Sequence, residues 1–148
     1  MLINSEILNG LREKYGEAYY LIDSVQFRNN FMELKEAFSN IYSNFNIAYS
    51  YKTNYVPKLC KIVNELGGYA EVVSEMEAEL ALKVGVQPEK IIWNGPIKEE
   101  KKLEELLLKG VTVNIDSEEE KNLIQTIVEK NPDNIFNIGI RCNFDVHD

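Results

Sequence analysis

NIAYSYKTNYVPKLCKIVNELGGYAEVVS, residues 46–74, holds the pattern on which the fold turns. Its first seven residues alternate as a strand does, with Ala48, Ser50 and Lys52 on one face and Ile47, Tyr49 and Tyr51 on the other. Residues 56–66 then carry apolar side chains at helical intervals until Gly67-Gly68 stops them. Residues 69–73 form a second β-branched and aromatic run, and Ser74 follows as the cap of a further helix. Strand, helix, strand with so little chain between them predicts a βαβ unit and hence parallel pairing.

The same unit extends in both directions. Upstream, residues 19–23 predict a short strand, and Asp23-Ser24 caps a helix over residues 25–42 in which Phe27, Phe31, Leu34 and Phe38 recur at helical spacing. Downstream, the helix opened by Ser74 reaches Val84-Gly85, residues 90–93 are a strand, and Asn94-Gly95-Pro96 leads to a helix over residues 99–109. Residues 111–115 are the next strand, Asp116-Ser117 opens a helix to Lys130, and residues 135–141 follow as the last strand. Strand ends fall near Lys52, Ser74, Asn94, Asp116 and Arg141, a repeat of roughly 20 to 25 residues.

An α/β architecture follows, either an open doubly wound sheet or a closed barrel. The barrel is favoured, because no glycine stands between Lys52 and Gly67 to make a dinucleotide-binding G-x-G-x-x-G turn. A complete (β/α)8 barrel takes about 250 residues. The 148 residues present therefore predict an incomplete barrel of about the first five parallel strands with outer helices, residues 25–148, preceded by a segment with a short strand, residues 1–24.

Composition narrows the function. A net charge of −8 offers no basic stripe to neutralise phosphates, which argues against nucleic acid or an anionic membrane as partner. Interleaved charges such as Lys98-Glu99-Glu100-Lys101-Lys102 read as a solvated helix face. Cys60 and Cys142 are far apart, lack neighbours at metal-ligand spacing, and are read as reduced thiols; no metal site is expected. Residues 1–9 show no basic stretch followed by an apolar run, and no segment reaches membrane-spanning length, so a cytoplasmic protein is expected.

In a parallel barrel, reactive groups stand at the C-terminal ends of strands. Here those positions hold Lys52, Glu71, Ser74, Asn94, Asp116 and Arg141. A lysine on the inner face of a strand needs a partner or a reaction, since a buried ammonium is costly; the alternative is that it snorkels to the rim. The reaction such an amine performs is imine formation with a carbonyl, and pyridoxal phosphate is the usual carbonyl.

Tyr49-Ser50-Tyr51-Lys52-Thr53-Asn54 resembles the Y-x-x-K-x-N strand end of the fold-type III pyridoxal-phosphate decarboxylases, the family of diaminopimelate, ornithine and arginine decarboxylases. Gly68 through Ser74, with Glu77, Ala81 and Gly85, is similar to that family's G-x-x-x-x-x-S-x-x-E-x-x-x-A-x-x-x-G segment. Residues 91–98 resemble its I-x-x-x-x-P-x-K segment, residues 114–117 its x-x-D-S segment, and residues 15–23 its opening Y-G-x-P-x-x-x-x-D stretch.

The resemblance implies Lys52 as the catalytic Schiff-base lysine, with Glu71 and Arg141 beside it in the cofactor site. Many relatives carry aspartate where Glu71 stands. Further candidates near the site are Asn54, Ser74, Asn94 and Glu77; Glu77 also reads as the last member of a capping box opened by Ser74, and Ser117 with Glu120 as a second box. Asn94, Pro96 and Lys98 are expected to shape the loop after the third strand, and His147, the single histidine, to be a loop residue.

The function implied is that of the N-terminal portion of an amino-acid decarboxylase, a carboxy-lyase most like diaminopimelate decarboxylase and so placed in lysine biosynthesis, working as a homodimer. The family's phosphate-binding glycine loop, the carboxylate that faces the pyridine nitrogen and a second, β-rich domain come from later segments. The isolated chain is accordingly expected to be inactive. Two other readings remain open at this point: a non-catalytic interaction or regulatory protein derived from the decarboxylase fold, and a racemase built on the same barrel.

Overall fold

The computed structural model describes residues 4–144. Five strands, β1 (Ala48–Ser50), β2 (Tyr69–Val72), β3 (Ile91–Trp93), β4 (Thr112–Ile115) and β5 (Ile138–Ile140), form one sheet in the order β1-β2-β3-β4-β5. Every pairing is parallel, and the register sets Ser50 beside Glu71, Val72 beside Trp93, Trp93 beside Val113 and Asn114 beside Gly139. Helices α3 (Pro57–Glu65), α4 (Glu75–Lys83), α5 (Glu100–Leu108) and α6 (Glu118–Lys130) connect the strands, and α1 (Ser5–Tyr15) and α2 (Ser24–Ser39) precede them. This is the sheet order and helix alternation expected of the first five units of a barrel.

Alternation along the strands divides the sheet into two chemically different faces. Tyr51, Ala70, Val72, Ile91, Trp93, Val111 and Val113 are wholly buried against the helices, where Cys60, Ala78, Ala81, Leu103, Leu106 and Ile127 meet them. The intervening positions, Ser50, Glu71, Ile92, Asn94, Thr112 and Asn114, are only half-buried and face the other way. Burial of the first set supplies the hydrophobic drive, at roughly 25 cal/mol per Å² of apolar surface.

Local sequence sets the helix boundaries. Ser74 Oγ accepts the Glu77 N–H at 3.3 Å, and Glu77 Oε2 accepts the Val73 N–H at 2.8 Å. Ser117 and Glu120 repeat the arrangement, Glu120 Oε2 accepting from Asp116 N at 2.8 Å. Pro57 stands in the first turn of α3, where its missing N–H costs nothing. Asp23 Oδ1 accepts from Val25 N and Gln26 N at the start of α2, which holds its carboxyl below the usual carboxylate range.

Two expectations are corrected. The strand over residues 19–23 does not form: none of the five belongs to the sheet, and Tyr20 is fully exposed. A β-branched and aromatic run becomes a strand only where an edge is available to it. In its place the N-terminal segment forms α1, capped by Asn4, whose Oδ1 accepts the Ile7 N–H at 2.9 Å. Lys98, taken for part of a solvated helix face, precedes α5 and its side chain is completely buried.

Candidate functional site

The C-terminal ends of the strands open onto a cavity of about 460 Å³ lined by Lys52, Glu71, Val73, Asn94, Gly95, Pro96, Asn114 and Arg141. The lining residues come from five successive βα units. Lys52 follows β1 on the face opposite Tyr51, whose ring is packed into the core beside Cys60. That burial pushes the Tyr51 hydroxyl far up, with Cys60 adding to it, and burial likewise raises the Cys60 thiol. The buried tyrosine anchors the backbone that carries the lysine, and the Thr53 hydroxyl ties the turn back to Ser50 O at 2.8 Å.

A chain of side-chain hydrogen bonds crosses the cavity floor. Asn94 Nδ2 donates to Glu71 Oε1 at 2.7 Å, and Asn114 Nδ2 donates in turn to Asn94 Oδ1. Three neighbouring strands are thereby linked through one carboxylate and two amides. At the far edge, Arg141 Nη1 donates to Asp116 Oδ1 at 3.1 Å, with the guanidinium largely exposed toward the cavity mouth.

Two glycines make room for this arrangement. Gly95 adopts φ +102, and a Cβ there would stand 2.5 Å from the Val73 carbonyl oxygen. At Gly139, in register with Asn114, a Cβ would collide with Asn114 Oδ1.

Of the residues singled out from sequence, Lys52, Glu71, Asn94 and Arg141 line this one cavity. Asn54, Ser74 and Glu77 do not line it. Asn54 Oδ1 accepts the Val56 N–H at 3.2 Å before α3, and Ser74 and Glu77 cap α4, so the capping reading of Glu77 accounts for its contacts. His147 lies outside the described residues.

Asn114 was missed because Asp116, just past the strand, was taken as its strand-end group; Asn114 lies inside β4, where alternation from Val113 puts it on the cavity face. Lys98, expected to shape the loop after the third strand, does so from the interior. Its ammonium donates to Gly95 O at 2.7 Å, to Asn114 O at 3.1 Å and to Glu120 Oε1 at 2.7 Å. No cluster of potential metal ligands occurs among the described residues, and none of their helices is long and apolar enough to cross a membrane. Cys60 is buried and Cys142 exposed, both free.

A parallel βα sheet with a lysine, a carboxylate and a guanidinium gathered at its strand ends places the chain among the α/β proteins whose polar groups meet at the C-terminal rim of a barrel sheet. The chain belongs to the pyridoxal-dependent decarboxylases, whose pyridoxal binding domain matches residues 26–148.

It is 31% identical to the diaminopimelate decarboxylase of Methanothermobacter thermautotrophicus over 93% of this chain and 30% of that protein. It is 31% identical to the diaminopimelate decarboxylase of Aquifex aeolicus over 99% of this chain and 34% of that protein. The crystal structure of Helicobacter pylori diaminopimelate decarboxylase complexed with L-lysine superposes with a TM-score of 0.81 at 26% identity, covering 92% of this chain and 34% of that one. The chain thus spans about a third of the length of the relatives it matches.

The cofactor of this family is pyridoxal 5'-phosphate, and the residues present fit it. The Lys52 amine is exposed on the cavity, and Glu71 and Arg141 offer opposite charges to a polar ring. In addition, Ser50 Oγ, on the same face of β1 as Lys52, is buried with no hydrogen-bond partner.

Proposed function

We propose that this chain is the N-terminal part of the pyridoxal-binding barrel of an amino-acid carboxy-lyase acting on diaminopimelate, with Lys52 as the residue that holds the cofactor. The observation that carries the reading is the meeting of Lys52, Glu71 and Arg141, from three separate βα units, on one cavity. The diaminopimelate decarboxylases among the relatives support the substrate. In full-length form we place the enzyme in the cytoplasm as a homodimer serving lysine biosynthesis, on the strength of the family resemblance.

When bound, pyridoxal phosphate supplies the electron sink that allows a carboxylate to leave an amino acid as CO2. The chain's own residues hold and orient. Lys52 presents its amine at the end of a strand whose other face is locked into the core. Glu71 is an acceptor for cationic groups at the ring, kept in one rotamer by Asn94. Arg141 is a cation at the opposite wall, directed by Asp116.

The test is reductive trapping. Incubation with pyridoxal phosphate, borohydride reduction and peptide mapping are expected to place the label on Lys52, and Lys52→Ala is expected to abolish it. Label spread over surface lysines and absent from Lys52 would refute the assignment.

A further inference from the structure

The geometry points to the buried pair Lys98–Glu120, which does not line the cavity, as the device that fixes the cavity's dimensions. This rests on the function proposed above. The Lys98 side chain has no solvent exposure and that of Glu120 only 7%, an unusual position for two charges unless they do something a pair of apolar residues would not.

The bonding partners identify what that is. A lysine ammonium has three N–H donors, and Lys98 uses them on Gly95 O, Asn114 O and Glu120 Oε1. Gly95 and Asn114 are both cavity-lining residues, one on the loop after β3 and the other on β4. Glu120 in turn fastens the Asp116 N–H through its second oxygen, and Asp116 directs Arg141.

One ammonium and one carboxylate therefore connect the ends of β3 and β4, and through Asp116 they reach Arg141 just past β5. The spacing they set decides whether Asn114 reaches Asn94, whether Asn94 reaches Glu71, and where Arg141 points. Lys98 and Glu120 are positioning residues: they touch none of the reacting groups and act through backbone that bears side chains which do.

Neutralising both members together separates positioning from stability, because a buried ion pair is often replaced by apolar side chains of similar size without loss of fold. The experiment is Lys98→Met/Glu120→Met in the whole chain, with Glu120→Gln as a gentler variant should the double one unfold, and exposed Lys109→Met as control. Pyridoxal phosphate is titrated while absorbance and borohydride label on Lys52 are followed, alongside NMR of the asparagine side-chain amides. Expected is a folded variant whose half-saturation rises roughly tenfold, with altered absorbance of the bound cofactor and displaced Asn94 and Asn114 amide signals; Lys109→Met changes none of these.

A folded variant with the wild-type midpoint, absorbance and amide signals would overturn the inference while leaving the cofactor assignment intact. Failure of the wild-type chain to label at Lys52 would instead strike the cofactor assignment. In that event the Asn94 and Asn114 amide signals alone decide the positioning role.

Discussion

Asn94 turns its amide so that Nδ2 donates to Glu71 at 2.7 Å while Oδ1 receives Asn114. The amide satisfies both neighbours, because it is a donor at one end and an acceptor at the other. Asn94→Leu should therefore cost about 1–2 kcal/mol by leaving both partners unmatched. Asn94→Asp should cost more, since it sets a second carboxylate against Glu71. Urea unfolding at neutral pH measures both, and equal losses would show that the charge on Glu71 is not felt at Asn94.

The two cavity glycines should differ in kind. Gly95→Ala meets rigid backbone at Val73 and an unfavourable φ, so a stability loss of about 2 kcal/mol or more is expected. Gly139→Ala meets only the tip of Asn114, which can swing aside. It should cost little in thermal stability but remove the Asn114–Asn94 hydrogen bond, visible as a change in the side-chain amide signals. A larger melting-temperature drop for Gly139→Ala than for Gly95→Ala would contradict this.

Alkaline pH should unfold the protein through Cys60 and Tyr51. Burial raises the Cys60 thiol above its ordinary 9.0 and the Tyr51 hydroxyl above its ordinary 10.0. Above pH 9 the unfolded chain releases protons that the folded chain retains. Stability is therefore fully present below that pH and declines as pH rises further. Cys60→Ala should flatten the first part of the decline, and denaturant midpoints measured from pH 7 to 10.5 would show it; an unchanged slope would remove Cys60 as its source.

The β5 edge should drive self-association. Ile138 and Ile140 are the two ends of β5, which pairs with β4 on one side and with no strand among the described residues on the other, and Ile140 is 75% exposed. Edges of this kind recruit further strands. Sedimentation of the chain should show concentration-dependent oligomers that Ile140→Lys reduces, and a monomer at all concentrations would argue against an active edge.

Carbon dioxide release from diaminopimelate, ornithine or arginine by these 148 residues alone should be undetectable. All eight cavity-lining residues come from the ends of five strands, whereas the relatives named above are about three times as long. Measurable turnover would show that the remaining length is dispensable for the chemistry.

Much of this was legible in the residues. The order of strands and helices, both capping boxes and the direction of Lys52 follow from patterns short enough to be read locally. What escaped reading depended on partners distant along the chain. Residues 19–23 have strand-forming composition but no edge beside them. Lys98 sits in a run of alternating charges that looks like solvent-facing helix, and only the approach of Gly95, Asn114 and Glu120 shows that it is interior. Glu120 was identified as a cap, correctly, but its second oxygen has a task that no local motif records.

The two-sided character of the sheet has a consequence for how such a protein can change. Nearly all the apolar packing lies on the helix side, so substitutions at Glu71, Asn94 or Asn114 change the cavity lining without emptying the interior. The lining of the cavity can then be exchanged one strand-end side chain at a time on an unaltered scaffold.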